Sequence, residues 1–226
     1  MKIRAGRSSL SKLKQDPDVG GINAQISRKS RRGGTFSIIW GMDILDKLLG
    51  GEARVKILRL FLLNPDTTFE AGEVRKKTKI TSFQLRREMA TLRGIRFVRK
   101  VGSGYKLSRS FVLLVPLREL LFSTEPFRDD EIIGRFKGGG NVKLLVVSGL
   151  FTQNNDSRID VLLVGDRLKR SKIEKALKDM ESEIGKELAY ALFETSEFKY
   201  RMEVYDKFVR DILDYPHKVL LDKIGI

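Results

Sequence analysis

The chain's most specific chemistry lies in residues 82–93, SFQLRREMATLR. At about 100° per residue, Leu85, Met89 and Leu92 fall on one side of a helix. Phe83, Arg87 and Thr91 point the other way, with Gln84 and Arg86 flanking them. Gln, Arg and Thr are side chains that read base edges in a major groove. Arg bonds guanine twice, Gln does the same for adenine, and a methyl or ring touches thymine. Phe83 has two readings, a thymine contact or packing against the preceding loop, and the second is favoured for a residue beside a helix cap. Upstream, Arg75, Lys76, Lys77 and Lys79 suit phosphates beside the groove and would fix register. Downstream, Arg99, Lys100, Ser103 and Lys106 surround a Gly102-Ser103-Gly104 turn whose hairpin would lie along the neighbouring backbone. Ser82, which shares with Thr81 the role of candidate cap, completes the set of expected DNA-contacting residues.

These residues need elements to hold them. Residues 40–49 read as a short amphipathic helix ended by Gly50-Gly51. Residues 52–64 give a buried helix, with Val55, Leu58 and Leu62 on one face and a stop near Asn64-Pro65. Residues 68–79 give a second helix, with Val74 inward and Arg75, Lys76 and Lys77 outward. The third helix ends at Gly94, and strands over 95–101 and 105–108 cross the glycine turn. Residues 111–122 read as a strand passing into a short helix, and 123–140 as a charged flexible connection ending in three glycines. No Lys-Ser/Thr follows that triplet, so it is not read as a phosphate cradle. Beyond it, strands are expected over 142–147, 158–164 and 187–193 and helices over 171–183 and from Ser196. Pro216 then breaks the chain before a short apolar helix.

Charge narrows the function classes. The chain carries a net +15 over 226 residues. Residues 52–110 hold fifteen Lys and Arg against five Asp and Glu, a surplus of ten. Residues 1–34 hold nine against two and read as a basic flexible tail, whereas 141–226 hold fifteen of each sign. A basic front joined to a neutral back points to a polyanionic partner. The hydrophobic fraction of 41% is ample for real cores. No stretch approaches the ~20 apolar residues of a membrane span, and no signal peptide is read. With no cysteine, disulfides and thiolate metal sites are excluded, and a cytoplasmic location is expected. One histidine, His217, builds no multi-histidine metal site.

The order helix–helix–helix–hairpin over 52–122, with EVRKKTKITSFQLRREMATLRGIRFVRK at its centre, resembles the winged-helix domains of bacterial and archaeal transcriptional regulators. The resemblance implies a recognition helix in the major groove of double-stranded DNA and a wing on its backbone. Winged helices also dock proteins, which leaves a protein-only adaptor as a further reading.

Residues 147–166 look like the minimal nucleotidyltransferase fold: a strand, a Gly-Ser turn opening a helix, and a second strand carrying Asp-x-Asp. That family implies a triphosphate on the turn and Mg²⁺ between two carboxylates. This chain departs from it. Ser148-Gly149 stands in reversed order, and Arg158 occupies the first carboxylate position, leaving Asp160. A cation there repels the metal. A residual nucleotide pocket of Ser148, Gly149, Arg158 and Asp160 stays open, with Arg158 on a phosphate or paired with Asp160 or Asp156. No catalytic residue, metal ligand or cofactor is assigned, and residual nucleotide or Mg²⁺ binding is left open.

The expected fold class is α/β (α+β): a tail over 1–34, a winged helix-turn-helix over 35–122, a linker over 123–140 and a nucleotidyltransferase-like α/β domain over 141–226. The expected function is a homodimeric DNA-binding transcriptional regulator whose second domain dimerises or senses a ligand. The alternative is an active nucleotidyltransferase gripping its target with the winged helix. Asp160, Asp166 and Glu187 would be its carboxylates, although Asp166 reads better as a helix cap.

Overall fold

Apolar residues at helical spacing build the front of the molecule. The computed structural model describes residues 41–122, 127–152 and 156–226; the basic tail expected over 1–34 lies outside them. The front begins with α1 (Gly41–Leu49), which buries Leu45, and α2 (Glu52–Leu63), which is covered almost all round. Two short helices, α3 (Ala71–Thr78) and α4 (Ser82–Gly94), pack on α2. Each opens on a reciprocal capping box, Glu70 with Glu73 and Thr81 with Gln84, which satisfies otherwise orphaned amides. The strands β1 (Val98–Val101) and β2 (Gly104–Leu107) form an antiparallel hairpin, and Phe69 bridges to Tyr105 beside it. Phe61 meets Phe69 edge-on at 5.6 Å in the shared core. The strand expected ahead of the helix in 111–122 does not form; a turn at Phe111 leads into α5 (Leu114–Phe122).

The connection expected over 123–140 is not wholly loop. Its described part contains α6 (Asp129–Phe136), and Phe127, Ile132 and Phe136 are buried with the back half. Of the glycines that follow, Gly139 and Gly140 are packed. A Cβ at Gly140 would fall on the backbone of Arg167 and Leu168, and φ there is +116°.

The back half is a four-stranded sheet in the order β5–β4–β3–β6, made of β3 (Asn141–Ser148), β4 (Val161–Asp166), β5 (Tyr190–Glu194) and β6 (His217–Asp222). β4 and β5 run parallel, joined through α7 (Arg170–Ile184), and the other two pairings are antiparallel. Alternation along the strands fills two cores. Leu145, Val147, Val161 and Leu163 face α6 and α7. Leu144, Val146, Leu162 and Val164 face α8 (Thr195–Glu203) and α9 (Lys207–Asp214). The helix expected after Pro216 is instead the edge strand β6, because β3 offers it a free edge to pair. β4 also starts at Val161, so Arg158 and Asp160 precede the strand; Glu187 likewise precedes β5.

The described residues form one compact unit. The Arg59 guanidinium of α2 is 1% exposed and donates to the carbonyls of Glu183 and Leu121 at 3.3 Å. Asn64 Nδ2 donates to Gly185 O at 2.9 Å. Gly185 (φ +88°) lies so close to α2 that a Cβ would meet the backbone of Arg59 and Leu60. Among the described residues no helix is long and apolar enough to cross a membrane.

Candidate nucleic-acid interface

α4 is amphipathic in the sense the periodicity requires. Leu85, Glu88, Met89 and Leu92 are buried, and Phe83, Arg86, Arg87, Ala90, Thr91 and Arg93 are exposed on the opposite arc. Phe83 and Ala90 run down the centre of that arc, two turns apart, with Arg86 and Arg93 on one side and Arg87 and Thr91 on the other.

The inner face of this helix also carries a buried carboxylate. Glu88 is fully covered, and its two oxygens receive Arg54 Nε at 2.6 Å and Arg87 Nε at 2.8 Å. Burial works against its charge, but the hydrogen bonds from Arg54 and Arg87 outweigh burial and hold the carboxyl below its ordinary range. Arg87 is therefore committed to Glu88, whereas Arg86 and Arg93 have no ion-pair partner among the described residues.

Other expected contacts are also engaged. Gln84 Oε1 accepts from Thr81 N at 2.9 Å in the capping box, so its side chain serves the cap. Ser82 Oγ accepts from Arg75, and the Thr91 hydroxyl donates to Arg87 O. Ser103, at the hairpin tip, donates to Glu70 Oε1 at 2.7 Å.

Two of the lysines expected on phosphates face the back half instead. Lys77 Nζ lies 2.8 Å from Glu187 and Lys79 Nζ 2.5 Å from Asp179. The hydrogen bond from Lys77 also holds the Glu187 carboxyl below its usual range. Lys76 is exposed beside them and lines, with both, a cleft of about 810 Å³ between α3 and α7.

The hairpin keeps its free cations. Arg99 and Lys100 are exposed without ion-pair partners among the described residues. Arg99 stands opposite Lys106 in the register, a like-charge pair that favours a nearby anion. Asp66 lies 3.9 Å from Lys106. Arg96, in the turn between α4 and β1 (φ +60°), adds an exposed cation. Spacing alone does not single out Arg93 and Arg96, although both lie beside residues expected on DNA.

The second group of candidates does not make a metal site. Asp160 is spent on backbone: Oδ1 accepts from Leu150 N at 2.8 Å and Oδ2 from Ala189 N at 2.9 Å. Gly149 leaves room for that carboxylate, since a Cβ there would overlap Asp160 Oδ1. Ser148 Oγ donates to Ile159 O. Arg158 pairs with Asp211 of α9 at 2.6 Å, not with Asp160 or Asp156. Asp166 does not cap α7. It pairs with Lys143 at 2.7 Å, and that hydrogen bond holds its carboxyl below the usual range. Glu187 is held by Lys77. These donors do not fit a divalent cation: each carboxylate already has a partner, and they do not converge. Among the described residues no three His, Cys, Asp or Glu side chains are grouped to hold a metal ion.

Compared with known proteins, the chain matches no family model, no curated protein and no solved structure.

Proposed function

We propose that this protein is a sequence-specific DNA-binding transcriptional regulator. Its front half acts as a winged helix: α4 enters the major groove and the β1–β2 hairpin lies on the adjacent backbone. One observation carries the reading. The solvent arc of α4 presents Arg86 and Arg93 without internal partners, and the hairpin that follows presents Arg99 and Lys100 in the same condition. Unpaired guanidinium groups on an exposed helix face match base edges and phosphates.

The back half is read as a nucleotidyltransferase-like fold that does no nucleotidyl transfer. The backbone hydrogen bonds on Asp160 and the Arg158–Asp211 pair support this, because both occupy the groups catalysis would need. Its role in this reading is to dimerise the protein on paired half-sites or to sense a ligand, for which the cleft between α3 and α7 offers space. A cytoplasmic location goes with this function.

The test is selection of bound duplexes from a random library by the full chain. Enrichment of a defined sequence supports the proposal. Retention of duplexes without any enrichment, or no retention, refutes it.

A further inference from the structure

The centre of the α4 arc is apolar where its flanks are cationic. Phe83 is 74% exposed, and it is not among the hydrophobic residues packed against the front core. The expectation that it packs on the preceding loop is therefore not met. Phe83 is the second residue of α4, at the end of the helix that reaches base edges when such a helix enters a groove. Ala90 continues the stripe two turns on, and Arg86 and Arg87 stand on either side of Phe83. A large apolar ring amid guanidinium groups suits neither open water nor a phosphate. In a major groove one apolar group is on offer, the 5-methyl of a pyrimidine.

We propose that Phe83 is a specificity-determining residue that reads the 5-methyl group of thymine in the bound DNA. This rests on the DNA-binding reading and adds to it a statement about sequence: the recognised site holds a thymine at the position facing the N-terminal turn of α4. The contact is with the methyl and not with hydrogen-bonding groups, so uracil at that position is a poor substitute, although it pairs identically. The cationic flanks argue for DNA as the occupant of this apolar patch, because Arg86 has no internal carboxylate to satisfy and a second copy of this chain would bring the same positive charge.

The experiment starts from a duplex selected by the full chain. Each thymine is replaced singly by uracil, and affinity is read by fluorescence anisotropy at one fixed salt concentration. At one position the loss of the methyl is expected to weaken binding roughly fourfold, the ratio equivalent to one buried methylene-sized group. With Phe83→Ala the same replacement is expected to have no effect, and Phe83→Leu is expected to restore part of it. At that position 5-methylcytosine opposite guanine tests whether the methyl alone is read: it should bind better than cytosine there. Phe83 is outside the core, so Phe83→Ala is expected to fold with an unchanged thermal midpoint. A selected duplex bound tightly but indifferent to every uracil overturns the inference and leaves the DNA-binding reading standing. So does a uracil penalty that persists in Phe83→Ala. Sedimentation showing that Phe83→Ala dissociates a dimer assigns the ring to a protein contact and overturns it too. Failure to select any duplex overturns both readings together.

Discussion

Arg54 Nε of α2 donates to Glu88 Oε2 of α4 across 2.6 Å, and this bond fastens the exposed helix to the helix behind it. Glu88 is the one charged side chain on the buried face of α4. It stays charged because two guanidinium groups surround it, and it turns Arg87 along the helix surface. The pair joins two tasks: it fixes the orientation of α4, and it decides which arginines of that helix remain available to a ligand.

Glu88→Gln is expected to destabilise the fold by about 1.5–3 kcal/mol, the usual worth of hydrogen bonds to a charged group. Acid should act in the same direction. The folded-state carboxyl titrates below its ordinary 4.5, so the stabilisation is complete above that value and is lost as pH falls through the lower folded-state value. The gap between the thermal midpoints of wild type and Glu88→Gln should narrow as the pH is lowered from neutral into the acid range. A constant gap across that range would remove the charge from the explanation.

Gly185→Ala is expected to loosen α7 from α2, since the added methyl meets the backbone of Leu60 and the residue sits at φ +88°. The cost should reach about 1–3 kcal/mol. Gly134→Ala on α6, where a Cβ meets nothing, should be neutral or stabilise by up to about 1 kcal/mol. Urea unfolding of the two variants makes the comparison, and equal midpoints would mean that the halves are not held by this close approach.

Asp160→Asn is expected to act on stability and not on a reaction. One of its two acceptors becomes a donor facing Leu150 N or Ala189 N, at a cost of about 1–3 kcal/mol. Wild-type protein given Mg²⁺ and labelled nucleoside triphosphates should transfer no label. Transfer that Asp160→Asn abolishes without lowering the thermal midpoint would reverse the assignment.

Much of the front half is readable from spacing alone. Leu85, Met89 and Leu92 recur at the helical period and mark the inner face of α4, and Thr81 is one of two residues expected to cap it; spacing assigns Gln84 to base edges, whereas it closes a capping box with Thr81. What periodicity does not contain is the identity of whatever lies outside a helix. Lys77 and Lys79 point away from the front core, and the sequence reads that direction as solvent or phosphate. The structure fills it with α7, so both lysines meet carboxylates more than ninety residues away. Glu88 was missed for the same reason, since its partner Arg54 is 34 residues distant. α6 was masked by the glycines after it, although Ile132 and Phe136 stand one helical turn apart. His217–Asp222 is too short for its period to decide between helix and strand, and pairing with β3 decides it.

The cationic residues should divide into two groups on DNA. Arg86→Ala and Arg93→Ala should relax preference at single base positions, at about 1–3 kcal/mol each, while Arg99→Ala should weaken all sequences alike. Lys77→Ala should change DNA affinity less than Arg99→Ala, because its ammonium is held by Glu187. Binding of wild type and each variant to the selected site and to an unrelated duplex separates these outcomes.

The most direct test of the central claim is the affinity of the full chain for its selected duplex as a function of salt concentration. Log affinity is expected to fall linearly with log salt, and the slope to flatten by about 1 in Arg99→Ala for the phosphate contact removed. A flat salt response, or a slope unchanged by the loss of Arg99, would contradict a groove-and-backbone mode of binding.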